Sequence, residues 1–171
     1  MKIHALAVLL PLLVLGACKV PEETRFFNFD GDSTPEEALK SGWSFFEEDG
    51  ETNTYVWATG LHADLSVTSR GDGDRTIRFR GMPFVFPKSQ PQTVRVRVNG
   101  RDVATVRPTE GFRIYSAFAP HSVWRRGENS IAFDFTYAES PQTTVHANDL
   151  RPLAFAFDWL EIEPARAAAK H

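Results

Sequence analysis

An acid–base pair near the end of the chain has a spacing that suits ligand binding. Asp149 and Arg151 flank Leu150 just before the last predicted strand. In an extended chain, residues two positions apart point the same way, so a carboxylate and a guanidinium group here could form a bidentate clamp. The alternative is a structural salt bridge that fixes a long loop onto the domain. We favour the structural salt bridge, and the clamp stays open.

Tryptophan side chains offer flat apolar faces on which a sugar ring can stack. The chain holds four tryptophans. Trp124 lies in a predicted loop, close to His121 and beside Arg125. A loop position favours exposure, so Trp124 with His121 is the first candidate for a stacking platform.

Two further tryptophans lie near an acidic loop at residues 47–53. Trp43 precedes this loop and Trp57 follows it, and both are ligand-binding candidates. Trp159 lies within a strongly apolar strand pattern, and a tryptophan in such a strand is more often part of the core. We therefore predict that Trp159 is a core residue.

Carboxylates gather at the first predicted turn, where Asp30 and Asp32 flank Gly31. Oxygen-rich loops of this kind can hold Ca²⁺. The spacing is not that of an EF-hand loop, so a solvated acidic rim is the competing interpretation. A structural calcium ion at Asp30 and Asp32 is thus a weak hypothesis, and no other metal or cofactor is expected.

Motifs of nucleophilic, phosphate-binding and zinc-dependent catalysis are absent from the sequence. It contains no H-E-x-x-H, no G-x-S-x-G and no G-x-x-x-x-G-K-[ST] pattern. His62, His121 and His146 have no partner at metal-ligand spacing. Paired carboxylates could hydrolyse a glycosidic bond, but sequence spacing does not test their separation. We predict a protein that is not an enzyme.

The N-terminus has the pattern of a signal peptide. Lys2 is followed by an apolar stretch at residues 5–15, which is too short to span a bilayer. Leu15-Gly16-Ala17-Cys18 then resembles the lipobox of bacterial lipoproteins, in which the cysteine is lipidated and becomes the first residue. The resemblance implies a membrane anchor at Cys18. Lys19 stands where many proteins retained at the inner membrane carry aspartate, so the outer membrane is favoured over the inner.

Cleavage before Cys18 would leave 154 of the 171 residues. The predicted organisation is a signal peptide at 1–17, a tether at 18–24, one domain at 25–164 and a flexible tail at 165–171. Removing Lys2 from the 19 basic residues leaves 18, against 22 acidic residues. This negative balance argues against a nucleic-acid partner. Since Cys18 is the only cysteine, its lipidation would leave no thiol for a disulfide.

Strand patterns dominate the rest of the chain. Val94, Val96 and Val98 alternate with arginines, and Asn99-Gly100 then gives the strongest short signal for a β-hairpin. About nine or ten short strands separated by turns predict an antiparallel β-sandwich. A jelly roll is the first prediction, with an immunoglobulin-like Greek key as the alternative. One short N-terminal helix is expected at residues 35–40, capped by Thr34.

An ordered series of short motifs resembles a known family. The motifs are Gly42-Trp43 with Glu47 or Glu48, Trp57-Ala58-Thr59-Gly60, Ala63-Asp64-Leu65, Val98-Asn99-Gly100, Gly127-Glu128-Asn129-Ser130-Ile131, Ser140-Pro141 and Asp149-Leu150-Arg151-Pro152-Leu153. Together they resemble the galactose-binding-like jelly rolls that are appended to bacterial glycan enzymes, and an uncharacterised relative on membrane proteins of polysaccharide assembly. The likeness covers residues 26–162 and implies a β-sandwich with a non-catalytic role.

These observations lead to one functional expectation and one alternative. The expectation is a lipid-anchored protein of the bacterial cell envelope whose β-sandwich binds carbohydrate without catalysis. The alternative is a structural or assembly lipoprotein that binds another envelope protein; it predicts buried tryptophans and an exposed apolar patch. A hydrolase acting on glycans is the third and least favoured hypothesis.

Overall fold

The computed structural model describes residues 23–30, 34, 36–50 and 54–165. Cys18, the signal peptide and Asp32 lie outside these residues. So does most of the proposed tail, and the predictions about them therefore stay predictions. Within the described residues, no helix is both long enough and apolar enough to cross a membrane.

Two antiparallel sheets pack face to face. One contains six strands: β1 (Arg25–Asn28), β3 (Trp43–Glu48), β4 (Thr54–Thr59), β6 (Arg75–Pro83), β9 (Arg113–Ala119) and β11 (Leu153–Pro164). The other contains five: β2 (Leu39–Ser41), β5 (His62–Ser69), β7 (Val94–Val98), β8 (Arg101–Val106) and β10 (Gly127–Phe135). The prediction of an antiparallel β-sandwich is confirmed.

The long strand β11 is the centre of the six-stranded sheet. The strand order is β3–β4–β11–β6–β9, and β1 pairs with the second half of β11 beyond the end of β4. The five-stranded sheet has the order β2–β5–β10–β7–β8. The predicted hairpin at Asn99-Gly100 is present, with positive φ at both turn residues. The second strand of this hairpin, β8, is the edge strand of the five-stranded sheet, whereas β11 is the central strand of the six-stranded sheet.

Helical structure is sparse and differs in detail from the prediction. The N-terminal helix is a 3₁₀ turn at Glu36–Ala38, after which the chain becomes β2 and pairs with β5. Thr34 is buried, and its hydroxyl donates to the carbonyl oxygen of Asn28. A short helix, α1 (Pro141–Val145), was not predicted, although Ser140 as N-cap followed by Pro141 is a recognisable start signal.

The core between the sheets is made mostly of phenylalanine. Phe79, Phe133, Phe155 and Phe157 are fully buried, with ring centroids 4.7 to 6.0 Å apart. A register shift between Phe157 and Trp159 changes the alternation along β11. Because Leu160 is buried in the core, Trp159 points to the outer face of the six-stranded sheet. The prediction of Trp159 as a core residue is therefore wrong, since the bulge reverses the side on which the indole lies.

Two ends of the sandwich can be distinguished. The tether end, as we call it, contains Glu23, the β5–β6 turn, the Asn99-Gly100 turn and the end of β11. The loop end contains the β4–β5 turn, the long β6–β7 connection and the segment with α1. The strand registers place the start of β10 at the tether end and its last residue at the loop end.

Asn129 joins three segments at the tether end. Its side chain is fully buried and accepts hydrogen bonds from the backbone N–H of Arg125 and the side-chain amide of Asn99. Its own amide donates to the carbonyl oxygens of Arg125 and Gly127. The hairpin turn is thereby held against the β9–β10 connection.

Replacement of Asn129 tests this junction. Asn129→Ala removes all four hydrogen bonds and leaves buried partners unpaired, so we expect the free energy of unfolding to fall by about 3 kcal/mol. Urea denaturation measures the change. Asn148→Ala, at an exposed asparagine, is the matched control and should lie within about 0.5 kcal/mol of the wild type. A loss for Asn129→Ala no larger than for the control would contradict this role.

Candidate functional site

The outer face of the six-stranded sheet carries a continuous series of aromatic rings. Tyr55 and Trp57 project outward from β4 because Val56 and Ala58 face the core. The ring of Tyr55 lies 5.9 Å from that of Phe112 and 6.0 Å from that of Trp57, and Trp57 lies 6.1 Å from Phe84. We call Phe112, Tyr55, Trp57 and Phe84 the aromatic band.

Burial differs along the band. Trp57 is only 7% exposed and packs with Leu153 and Ala156 of β11, so it is the band's buried centre. Tyr55, Phe84 and Phe112 are half-buried and present part of their rings to solvent. The guanidinium carbon of Arg80 lies 4.7 Å from the centre of the Phe112 ring. Arg80 thus lies over the Phe112 side of the band.

An ionic cluster borders the Tyr55 side of the band. Arg151 bonds Asp149 bidentately, with its Nη2 2.7 Å from Oδ2 and its Nε 3.0 Å from Oδ1. Its Nη1 bonds the carboxylate of Glu47 on β3. Arg151 thus holds the loop before β11 against β3, as expected for a structural salt bridge. Each of its three nitrogens donates within the protein, and the free lone pairs of the two carboxylates remain as acceptors.

The electrostatics of this border follow from the same contacts. The hydrogen bond from Arg151 lowers the pKa of the Asp149 carboxyl, and the two carboxylates raise the pKa of Arg151. Burial, together with the negative charges of Glu47 and Asp49, raises the pKa of the Tyr55 phenol. At neutral pH the site therefore contains a neutral phenol donor and the ionised carboxylate of Asp149 as an acceptor.

Some of the predicted ligand-binding residues lie at this site, and the others lie elsewhere in the sandwich. Trp57, Asp149 and Arg151 meet at the aromatic band and its ionic border. Trp43 does not belong there: its ring lies 5.7 Å from Phe29 and 5.3 Å from Phe157, on the core side of β3. Its indole N–H donates to the carbonyl oxygen of Asp64.

The expectation of an exposed Trp124 is wrong. This side chain is 6% exposed, its N–H donates to the carbonyl of Ala119, and Arg75 covers its ring at 5.4 Å. His121 is exposed beside it but is bound to Asp74, at the tether end and away from the band. Because the loop folds its indole inward, Trp124 offers no stacking face.

Metal binding gains no support from the described part of the chain. No group of three or more histidine, cysteine, aspartate or glutamate side chains there is arranged to hold a metal ion. The carboxylate of Asp30 accepts a hydrogen bond from the amide of Asn28. Because Asp32 lies outside the described residues, the calcium hypothesis remains a prediction.

Sequence reasoning missed several residues of the site. Tyr55 and Phe112 were not candidates, because neither lies in a motif and the two are 57 positions apart along the printed sequence. Tyr55 could have been found from the alternation in β4, where Val56 and Ala58 are the inward residues. Phe112 reaches the band only through the pairing of β9 with β6, which local sequence does not encode.

Comparison with solved structures shows the same fold. A family 35 carbohydrate-binding module from Clostridium thermocellum superposes with a TM-score of 0.53 at 14% identity, covering 84% of this chain and 99% of that one. The fold resembles that of carbohydrate-binding modules. A family 35 module from an environmental isolate gives 0.54 at 15% identity, covering 84% and 99% of the two chains.

A carbohydrate-binding module of a second family has the same fold. The C-terminal family 6 carbohydrate-binding module of a laminarinase from Zobellia galactanivorans gives a TM-score of 0.51 at 10% identity, covering 82% of this chain and 99% of that one. No protein-family model matches the sequence. No curated protein matches it either. At these identities the comparisons show the β-sandwich fold.

The ion pair at the ionic border generates a pH prediction. A carboxyl group whose folded-state pKa is lowered stabilises the fold above its unfolded pKa of about 3.9, and this contribution is lost as the pH falls through the folded-state value. We expect Asp149→Asn to lower stability by about 1 kcal/mol at neutral pH, because partial exposure of both partners screens the pair. This difference should vanish in strong acid.

Thermal melting between neutral and strongly acidic pH measures the effect. Glu110→Gln, at an exposed carboxylate that forms none of the ion pairs described above, controls for the removal of one negative charge. An Asp149→Asn variant whose destabilisation is the same at every pH would contradict the assignment.

Proposed function

We propose that this protein is a lipid-anchored, non-catalytic glycan-binding module of the bacterial cell envelope. The observation that carries the proposal is the aromatic band, with its half-buried rings beside fixed charged groups. A pyranose has an apolar face that packs on an aromatic ring and hydroxyl groups that need hydrogen-bond partners. Tyr55 and Phe112 can supply the apolar contact.

Polar recognition would come from the ionic border. The carboxylates of Glu47 and Asp149 accept hydrogen bonds from sugar hydroxyl groups, and the Tyr55 phenol can donate or accept. Arg151 orients both carboxylates in advance, so binding costs little side-chain entropy. The fold neighbours support this proposal, since they are carbohydrate-binding modules.

A non-catalytic role fits the chemistry of the border. Glycosidases that use two carboxyl groups need one of them to stay protonated as the general acid, which requires a raised pKa. Arg151 lowers the pKa of Asp149 instead. This pair therefore suits hydrogen bonding rather than proton transfer to a leaving group.

Membrane attachment is proposed through Cys18. Leu15-Gly16-Ala17-Cys18 resembles a lipobox, and two or three acyl chains at Cys18 would anchor the protein stably. Lys19 favours the outer membrane over the inner. The negative balance of the mature chain argues against nucleic acid as a partner.

The anchor has a direct test. Expressed with its signal peptide in a Gram-negative host, the wild-type protein should incorporate radiolabelled palmitate and sediment with membranes. Cys18→Ser should do neither, because the lipid is attached to the cysteine sulfur. Equal labelling of both proteins, or a wild type without label, would contradict lipidation at Cys18.

Glycan binding is tested with an array of bacterial polysaccharides. We expect the wild type to bind a defined glycan, and Tyr55→Ala and Phe112→Ala each to weaken binding by about tenfold, which corresponds to 1.4 kcal/mol for the loss of one stacked ring. Phe118→Ala removes an exposed ring on the same sheet outside the band and should bind as the wild type does.

Far-ultraviolet circular dichroism and thermal melting establish that each variant is folded before it is compared. Equal weakening by all three substitutions would argue against the band as the site. A folded wild-type protein that binds no glycan would reject the carbohydrate proposal.

One observation favours a second candidate function, binding of an envelope protein. Phe45 on β3 is 89% exposed, and among the strands that the structure describes β3 is an edge strand that pairs with β4 alone. Leu150, next to Arg151, is 72% exposed. Exposed apolar side chains at a sheet edge suit docking of another polypeptide. Cross-linking from Phe45 in the native envelope would identify such a partner, and a blank glycan array would make this the leading function.

A further inference from the structure

The outer face of the six-stranded sheet has a second aromatic area, distinct from the aromatic band. Phe26 of β1 and Phe118 of β9 are each 54% exposed, and Trp159 of β11 lies half-buried beside Phe26. The Phe26 and Trp159 rings are 5.9 Å apart. We call Phe26, Trp159 and Phe118 the tether-end patch.

Strand register fixes the geometry of this patch. Phe26 is opposite Glu161, which is opposite Arg78, and Phe118 is opposite Thr76. Three strand-to-strand steps separate β1 from β9, and Phe118 is offset from Phe26 by two residues along the strands, so the two phenylalanines lie about 16 Å apart. The Arg78–Glu161 ion pair at 3.0 Å lies between them. Arg78 also covers the indole ring at 5.8 Å.

The chain enters the sandwich beside this patch. Glu23 is held by three arginines: its carboxylate lies 3.3 Å from Arg25 and 3.7 Å from Arg70, and its carbonyl oxygen lies 3.5 Å from Arg75. These contacts hold Glu23 at the tether end. Phe26 follows Glu23 by three positions, so the patch and the entry point belong to the same end of the molecule.

The length of the preceding segment limits the distance to the lipid. Cys18 and Glu23 are five positions apart, which an extended chain spans in at most about 18 Å. This inference rests on the proposed lipid anchor: a lipidated Cys18 lies at the membrane surface, so the tether end is held close to it. Such a short connection cannot let the domain move far into the aqueous compartment.

From this placement we infer that the tether-end patch binds the membrane surface, with Phe26, Phe118 and Trp159 entering the headgroup region. Phenylalanine supplies buried apolar area, while an indole beside a guanidinium–carboxylate pair suits a boundary that is apolar on one side and wet on the other. Along β11 the centre of the aromatic band, Trp57, is opposite Ala156, three residues before Trp159 and about 10 Å farther from the tether end.

Quenching of tryptophan fluorescence by brominated phospholipid tests this docking. The lipidated protein is reconstituted into phosphatidylcholine vesicles with and without phosphatidylcholine brominated near the headgroup end of its acyl chains. We expect brominated lipid to quench the wild type and Trp159→Phe to lose most of that quenching. Trp57→Phe, which changes the centre of the aromatic band, is the matched control and should keep it.

A second variant tests whether the two phenylalanines are needed for binding of the patch to the membrane. Phe26→Ser combined with Phe118→Ser changes two exposed side chains, so its melting temperature should stay near that of the wild type while its quenching is lost. Quenching that is absent in the wild type, or unchanged by Trp159→Phe, would overturn the inference and leave a polysaccharide or a second copy as the occupant of the patch.

Lipidation of Cys18 and attachment to the vesicles are measured separately in the same samples. Mass spectrometry shows whether Cys18 carries lipid, and flotation shows whether the protein is on the vesicles. Lipidated protein that floats but is not quenched rejects only the docking of the patch. Protein that carries no lipid rejects the anchor, and the inference with it.

Discussion

Close aromatic packing between two sheets is the constraint on which the structure depends. Phe155 and Phe157 of the central strand meet Phe79 and Phe133 with ring centroids 4.7 to 6.0 Å apart, and all four are fully buried. Gly81 makes room for this packing, because a Cβ there would lie 2.2 Å from the Phe155 ring. Cys18 is the chain's only cysteine, so no disulfide within the chain can link the two sheets. Burial of these aromatic rings therefore holds the sheets together.

The same constraint organises the outer surface. Two consecutive inward rings on β11 are followed by a bulge that turns Trp159 outward, while Ala156 stays small enough for Trp57 to cover it. The aromatic band and the tether-end patch are thus two parts of one sheet face, separated along β11. We propose that one contacts glycan and the other contacts lipid.

Sequence patterns predicted the fold class, the Asn99-Gly100 hairpin and the structural use of Arg151. They failed where tertiary pairing decides the outcome. Trp124 lies in a loop, which favoured exposure, yet a hydrogen bond to Ala119 and the covering Arg75 hold it inside. Tyr55 and Phe112 meet only because strands far apart in sequence join one sheet, in which β11 and β6 lie between β4 and β9. Local periodicity contains no information on which strands pair.

The most direct test of the central claim is fluorine NMR of the protein labelled with 5-fluorotryptophan, titrated with a glycan that it binds. Each of the four tryptophans gives one resonance, assigned by single substitution to phenylalanine. The account predicts that the Trp57 resonance shifts with added glycan, because the ligand packs on rings in contact with that indole, while Trp43 and Trp124 stay unchanged. A shift confined to Trp124 or Trp43, with Trp57 unmoved, would contradict a glycan site on the aromatic band.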